Sequence, residues 1–211
     1  MLRPSPAPAP ALRSVLAALG SPSAVREART PALRTAQGPL SPELPLPVHV
    51  LASAEHTGAR PGQRPAPPAG PLPSHTRLTG WRFLVRDGER AIAAADTMLT
   101  PDGWAFSHFF EGPYVLATER ALMRAEALAT PYQPRLLSVP ELYMLTLWLH
   151  ADTAADGAST EPGAADLLVP LAPAPPGIAA DRPYRMADLL PVIRTRRTPP
   201  PLLGSAATAT A

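Results

Sequence analysis

A chain of 211 residues with 31 prolines, no cysteine and a formal net charge of +2 excludes a disulfide framework and any thiolate chemistry. Charge is segregated: residues 1–80 carry eight Arg against three acids, and residues 81–193 carry eight Arg against fourteen. Such a net-acidic stretch lacks the basic face of a nucleic-acid binder, so nucleic acid is not an expected partner. Every basic residue is Arg, and Lys and Asn are both missing. That is the coding bias of a GC-rich bacterial genome, so Arg in place of Lys carries no functional weight here.

The ring-bearing residues set the domain boundaries. All of the four Phe, four Tyr and three Trp fall between Trp81 and Tyr184. Aromatic side chains bring the most apolar area per residue, and a segment without them struggles to offset its ordering entropy. Sixteen of the prolines lie in residues 1–80, where each removes a backbone donor. The sequence therefore predicts a disordered Pro/Ala/Arg-rich arm over 1–79, one folded domain over 80–193 and a disordered tail over 194–211. Arg13 interrupts the apolar stretch Ala11–Leu19, which argues against a secretory signal. The longest strongly apolar run, Leu142–Leu149, is far short of the ~20 residues that span a bilayer. A soluble, cytoplasmic protein is expected.

In chain order, Leu12, Val15, Leu16 and Leu19 recur at helical spacing before Gly20, which predicts a short amphipathic helix over 11–19. It reads either as a peptide that docks on a partner or as transient helix. Residues 21–79 read as linker, with polyproline spacers at Pro39–Pro47 and Pro61–Pro73. Trp81, Phe83 and Val85 share one face of a strand, and Asp87-Gly88 suits a tight hairpin turn. Arg90–Met98 returns as an alanine-rich strand thin enough for a helix to approach closely. Thr100-Pro101-Asp102-Gly103 turns again, and Trp104–Phe109 completes a three-stranded meander. Gly112-Pro113 then opens a helix through Val115, Leu116, Leu122, Met123 and Leu128. Leu136–His150 reads as strands, although Ser138–Glu141 also fits a helix-capping box. Asp152–Ala165 is a small-residue loop, Asp166–Leu171 a strand paired with 142–150, Pro173–Pro183 an extended wrap and Met186–Leu190 a helical turn.

The expected fold is an α+β two-layer sandwich, an antiparallel sheet of about five strands in the order β-β-β-α-β-β with one main helix. No phosphate loop, metal-ligand spacing or nucleophile elbow is present, so no cofactor, metal or catalytic residue is predicted. His49, His56 and His75 fall in the linker. Ser107 and His108 are neighbours on a strand and should face opposite ways, which argues against a nucleophile–base pair. Asp96 reads as a solvated or strand-end acid, and Tyr143 with Trp148 as core. The remaining weak candidates for ligand binding are His108, Glu111 and Tyr114, at the corner between sheet and helix. The leading expectation is a non-catalytic binding or scaffold protein, with a protein partner reached through the N-terminal arm and a homodimer formed through a sheet edge. The alternative is a small enzyme or ligand-binding domain with a pocket near those three residues.

Overall fold

Hydrogen bonding joins eight strands into one mixed sheet in the computed structural model, which describes residues 1–26, 30–51, 76–159 and 161–197. The strands are β1 (Leu40–Leu51), β2 (Thr76–Asp87), β3 (Arg90–Thr100), β4 (Gly103–Phe110), β5 (Gln133–Val139), β6 (Met144–His150), β7 (Leu167–Pro170) and β8 (Tyr184–Arg185). Their spatial order is β4-β3-β2-β1-β5-β6-β7-β8. The helices are α1 (Ala9–Leu19), α2 (Pro22–Val25), α3 (Pro31–Thr35), α4 (Pro113–Glu126) and α5 (Met186–Arg197). The predicted linker over 52–75 and tail over 198–211 lie outside the described residues.

Two antiparallel meanders, β2-β3-β4 and β5-β6-β7 with β8, are joined through β1. β1 runs antiparallel to β2 but parallel to β5, with Val48–Val50 opposite Leu136–Ser138. This corrects both the strand count and the boundary at residue 80. Prolines hid the strand. Pro42, Pro45 and Pro47 all lie in the half of β1 that pairs with β2 alone, so their missing N–H groups need cost no bond on the open side. The irregularity between Glu43 and Leu46, with Leu44 at φ +50°, absorbs the rest of the misfit. Only the proline-free end, Val48–Leu51, threads between two strands.

Both faces of the sheet are covered, so the expected two-layer sandwich becomes three layers. On one face α4 lays Val115, Ala121 and Leu122 against Leu84, Leu136 and Leu147. On the other, α1 sets Ala11, Val15 and Ala18 against Phe83, Ala93, Ala95 and Phe109, while α5 sets Leu189, Leu190 and Ile193 against Leu137 and Trp148. Successive strand residues alternate between these faces, as the pleat requires, except where a bulge interrupts the pairing, as between β2 and β3 at Val85–Arg86. The alanines of β3 serve both sides, Ala91 and Ala94 under α4 and Ala93 and Ala95 under α1.

Several local expectations shift. The predicted helix at 11–19 is present, but it packs on its own sheet and turns Leu12 and Leu16 outward. On α4, Leu116 and Met123 are likewise exposed. The first hairpin turns on Gly88-Glu89, one residue later than expected, with Asp87 opposite Arg90. The segment fitting a capping box makes only a 3-10 turn, Pro140–Leu142, between β5 and β6. Tyr143 ends that turn at φ +49° and is 89% exposed, so it is not core. α5 continues through Pro191 to Arg197, past the predicted start of the tail.

Candidate functional site

On the α1/α5 side, the middle of the sheet is floored by polar side chains. Gln133 and Arg135 sit two apart on β5 and face the same way; Trp148 and His150 do so on β6, paired as Arg135 opposite Trp148 and Gln133 opposite His150. His49 joins them from β1, stacking edge-on to Trp148 with ring centres 5.1 Å apart. The Arg135 guanidinium lies over the same indole at 4.9 Å. His49, Arg135 and Trp148 are all fully buried.

The cover is the loop between β6 and β7. Gln133 Nε2 donates to the Ala155 carbonyl (2.7 Å), and Arg135 donates through its two terminal nitrogens to Ser159 (2.6 Å) and Asp156 (3.0 Å). His49 Nε2 donates to the Gly157 carbonyl at 3.0 Å, while its Nδ1 lies 3.3 Å from the Thr76 hydroxyl. Three side chains thus present four N–H groups to four main-chain carbonyls of one short segment. At the loop's base, Asp166 accepts from Ala151 N (2.9 Å), Gly163 N (2.8 Å), Trp148 Nε1 (2.7 Å) and His150 Nδ1 (2.8 Å). That set of donors holds a fully buried carboxylate and ties the two ends of the loop together.

The electrostatics follow from burial. Desolvation lowers the His49 pKa from 6.5 to about 4; the bond to the Gly157 carbonyl pulls it up, and the Arg135 and His150 charges push it down further. Burial also lowers Arg135, countered by the more distant fields of Asp166, Asp156 and Asp152. Among the described residues, no carboxylate forms an ion pair with Arg135. The placing of His49 in a linker without fixed geometry is therefore corrected: it stands in β1, within the core.

The three sequence-predicted residues are not brought together. Glu111 turns to α3, where Oε1 accepts from Ala32 N (2.8 Å) and Leu33 N (3.2 Å). It also lines a cleft of about 430 Å³ beside Arg90, Asp87 and the start of α4, which neither His108 nor Tyr114 reaches. The Tyr114 hydroxyl lies 2.6 Å from the Tyr143 carbonyl and 2.9 Å from that of Pro173, and burial raises its pKa. His108 is exposed, with Nδ1 3.0 Å from the Ser107 hydroxyl. This contact corrects the expectation that the two side chains diverge. Asp96 pairs with His108 and Thr97 with Phe106, so Ser107 is an extra residue, and the resulting bulge breaks the alternation. Asp96 itself makes a two-pronged ion pair with Arg82 at 2.8 Å, and Arg82 stacks over Phe110.

Among the described residues, no group of three or more His, Asp or Glu could hold a metal ion, and no helix is long and apolar enough to cross a membrane. Comparison with protein-family models, with curated proteins and with solved structures finds no match to this chain.

Proposed function

We propose that the chain is a non-catalytic binding or scaffold protein whose contact surface is the outer edge of β4, with a second copy of the chain as its partner. The observation that carries this reading is the position of β4: eight residues long, last in the sheet and, among the described residues, paired on one side only. An unpaired edge about 26 Å long, at ~3.3 Å per residue, is a template for strand addition. Natural edges are blunted with charge, proline or bulges; the sequence Gly-Trp-Ala-Phe-Ser-His-Phe-Phe has no Arg, Asp, Glu or Pro, and its one bulge, at Ser107, leaves Gly103–Phe106 regular. Two copies meeting antiparallel about a two-fold axis would oppose no like carboxylates or guanidinium groups along the seam. α1 packs against the β4 region, and its Leu12 and Leu16 are exposed apolar side chains. Sedimentation of the full chain at micromolar concentrations tests the reading. A dimer that the paired substitutions Ser107→Lys and His108→Lys dissociate is expected; a strictly monomeric wild type, or a dimer indifferent to those charges, refutes it.

A second reading rests on the cleft beside Glu111. It treats the region between α3, β3 and α4 as a small-ligand pocket, and soaking crystals with a fragment library would test it. Ligand density confined to other surfaces would remove it.

A further inference from the structure

Each of the four N–H groups on the sheet floor meets one loop carbonyl, yet two of them belong to Arg135, a cation held by neutral acceptors. We infer that Gln133, Arg135 and His49 form an occluded binding site for a small oxyanion, a carboxylate or a phosphate, and that residues 152–159 lie over it with their main-chain carbonyls standing in for the ligand's oxygens. This site is independent of the β4 edge and lies on different strands.

Four observations support it. First, the Arg135 guanidinium is fully buried and, among the described residues, hydrogen-bonded only to neutral oxygens: Gln133 Oε1 at 2.8 Å and the carbonyls of Asp156 and Ser159. A buried cation without a contacting carboxylate is costly to retain, and neutral carbonyls cannot cancel its charge. Second, its terminal nitrogens form a planar fork that matches two oxygens of one carboxylate or phosphate. Third, the cover adds little of its own to the core. Between Asp152 and Ser159 only Gly157 is buried, and no residue of the loop belongs to a buried apolar cluster. Fourth, the base of the loop is fixed separately. Asp166 holds Ala151 N and Gly163 N, so the tip can lift while the two ends stay joined. Exchanging loop carbonyls for ligand oxygens leaves the floor donors bonded and gives Arg135 a counter-charge.

The tip also offers a handle. A Cβ added at Gly157 would lie 2.8 Å from Ser5 Oγ and 2.9 Å from Trp81 Cη2, so alanine there strains the covered state without touching the floor donors. Apparent affinity for a ligand that needs the uncovered state rises as the covered state is destabilised.

The experiment uses the full chain and two probes, inorganic phosphate and succinate, each titrated calorimetrically against sodium chloride at matched ionic strength. The two arms distinguish a phosphate from a carboxylate ligand. The expected result is saturable binding of one probe, with faster amide exchange of residues 152–159 in the bound state. Gly157→Ala should tighten that binding about tenfold, and Arg135→Gln should abolish it. Should Arg135→Gln fail to fold, Arg135→Lys decides: it keeps the charge but loses the fork, and binding should weaken about tenfold or more. The inference is overturned if neither probe binds wild type or Gly157→Ala at about 10 mM, a level at which even weak sites of ~4 kcal/mol fill. It is equally overturned if binding survives unchanged in the Arg135 variants, or if residues 152–159 stay as protected with ligand as without.

Discussion

Acid should loosen this fold in part through one buried imidazole, that of His49. His49 is neutral in the folded chain because burial holds its pKa at about 4, whereas the unfolded chain restores the ordinary 6.5. Between those values the unfolded state binds the extra proton. Stability contributed by neutral His49 is therefore complete above about pH 6.5 and lost as pH falls toward 4. The full shift of 6.5 to about 4 corresponds to about 3 kcal/mol, of which about 2 kcal/mol is gone by pH 5.

Other groups also titrate in that range, so the measurement has to be differential. His49→Gln keeps an amide donor for the Gly157 carbonyl and an acceptor for Thr76, but it cannot take the proton. Urea unfolding of wild type and variant at pH 7, 6 and 5 gives the two stabilities, and their difference isolates the imidazole. Wild type should lose about 1 kcal/mol relative to the variant by pH 6 and about 2 kcal/mol by pH 5. A difference that stays flat across this range, or one that moves in favour of wild type, would refute the argument, because it would mean His49 is either solvated or already charged at neutral pH.

Two further substitutions test other parts of the structure. Leu46→Ala removes a fully buried β1 side chain that packs against Leu84 and Leu136, and a loss of about 3 kcal/mol in urea unfolding is expected; a loss below ~0.5 kcal/mol is what an exposed arm residue would give. Thr146→Val replaces a buried hydroxyl that has no hydrogen-bond partner among the described residues with a methyl group of similar size. Thermal unfolding should show a gain of about 1 kcal/mol, and a loss would mean that the hydroxyl is bonded after all.

Periodicity made one half of the sheet legible. Trp81, Phe83 and Val85 on β2 announced a buried face, and two turn sequences placed β3 and β4 beside it. The N-terminal fifty residues were misread because they borrow their partners. Ala11, Val15 and Leu33 are small or medium side chains that would not hold a core alone, but Trp81, Phe83 and Phe109 supply the bulk from β2 and β4. An aromatic count assigns such a segment to disorder, since the count cannot see packing between distant parts of the chain. The same borrowing moved the buried stripe of α1. Leucines looked like its contact face, yet alanines are what fit over ring-bearing strands, and Leu12 and Leu16 turn outward.

The floor of the candidate site had a partial signature. Gln133 and Arg135 are two apart, as are Trp148 and His150, and the hairpin around Pro140–Leu142 sets each pair opposite the other. A polar pair in period two on largely apolar, buried strands marks a position where something must accept hydrogen bonds. What could not be read is the acceptor. Main-chain carbonyls belong to every residue alike, so a loop of Ala, Gly, Ser, Thr and Asp gives no sign of which four oxygens it will present. Nor does His49 point to them, because its approach depends on a strand that carries three prolines and lies about a hundred residues earlier than the loop. Donors fixed on strands and acceptors drawn from a loop's backbone differ in how replaceable they are. The former are specified by residue type and register, whereas any oxygen of the right reach can serve as the latter. That asymmetry is what makes the floor, and not its cover, the element to probe with ligands.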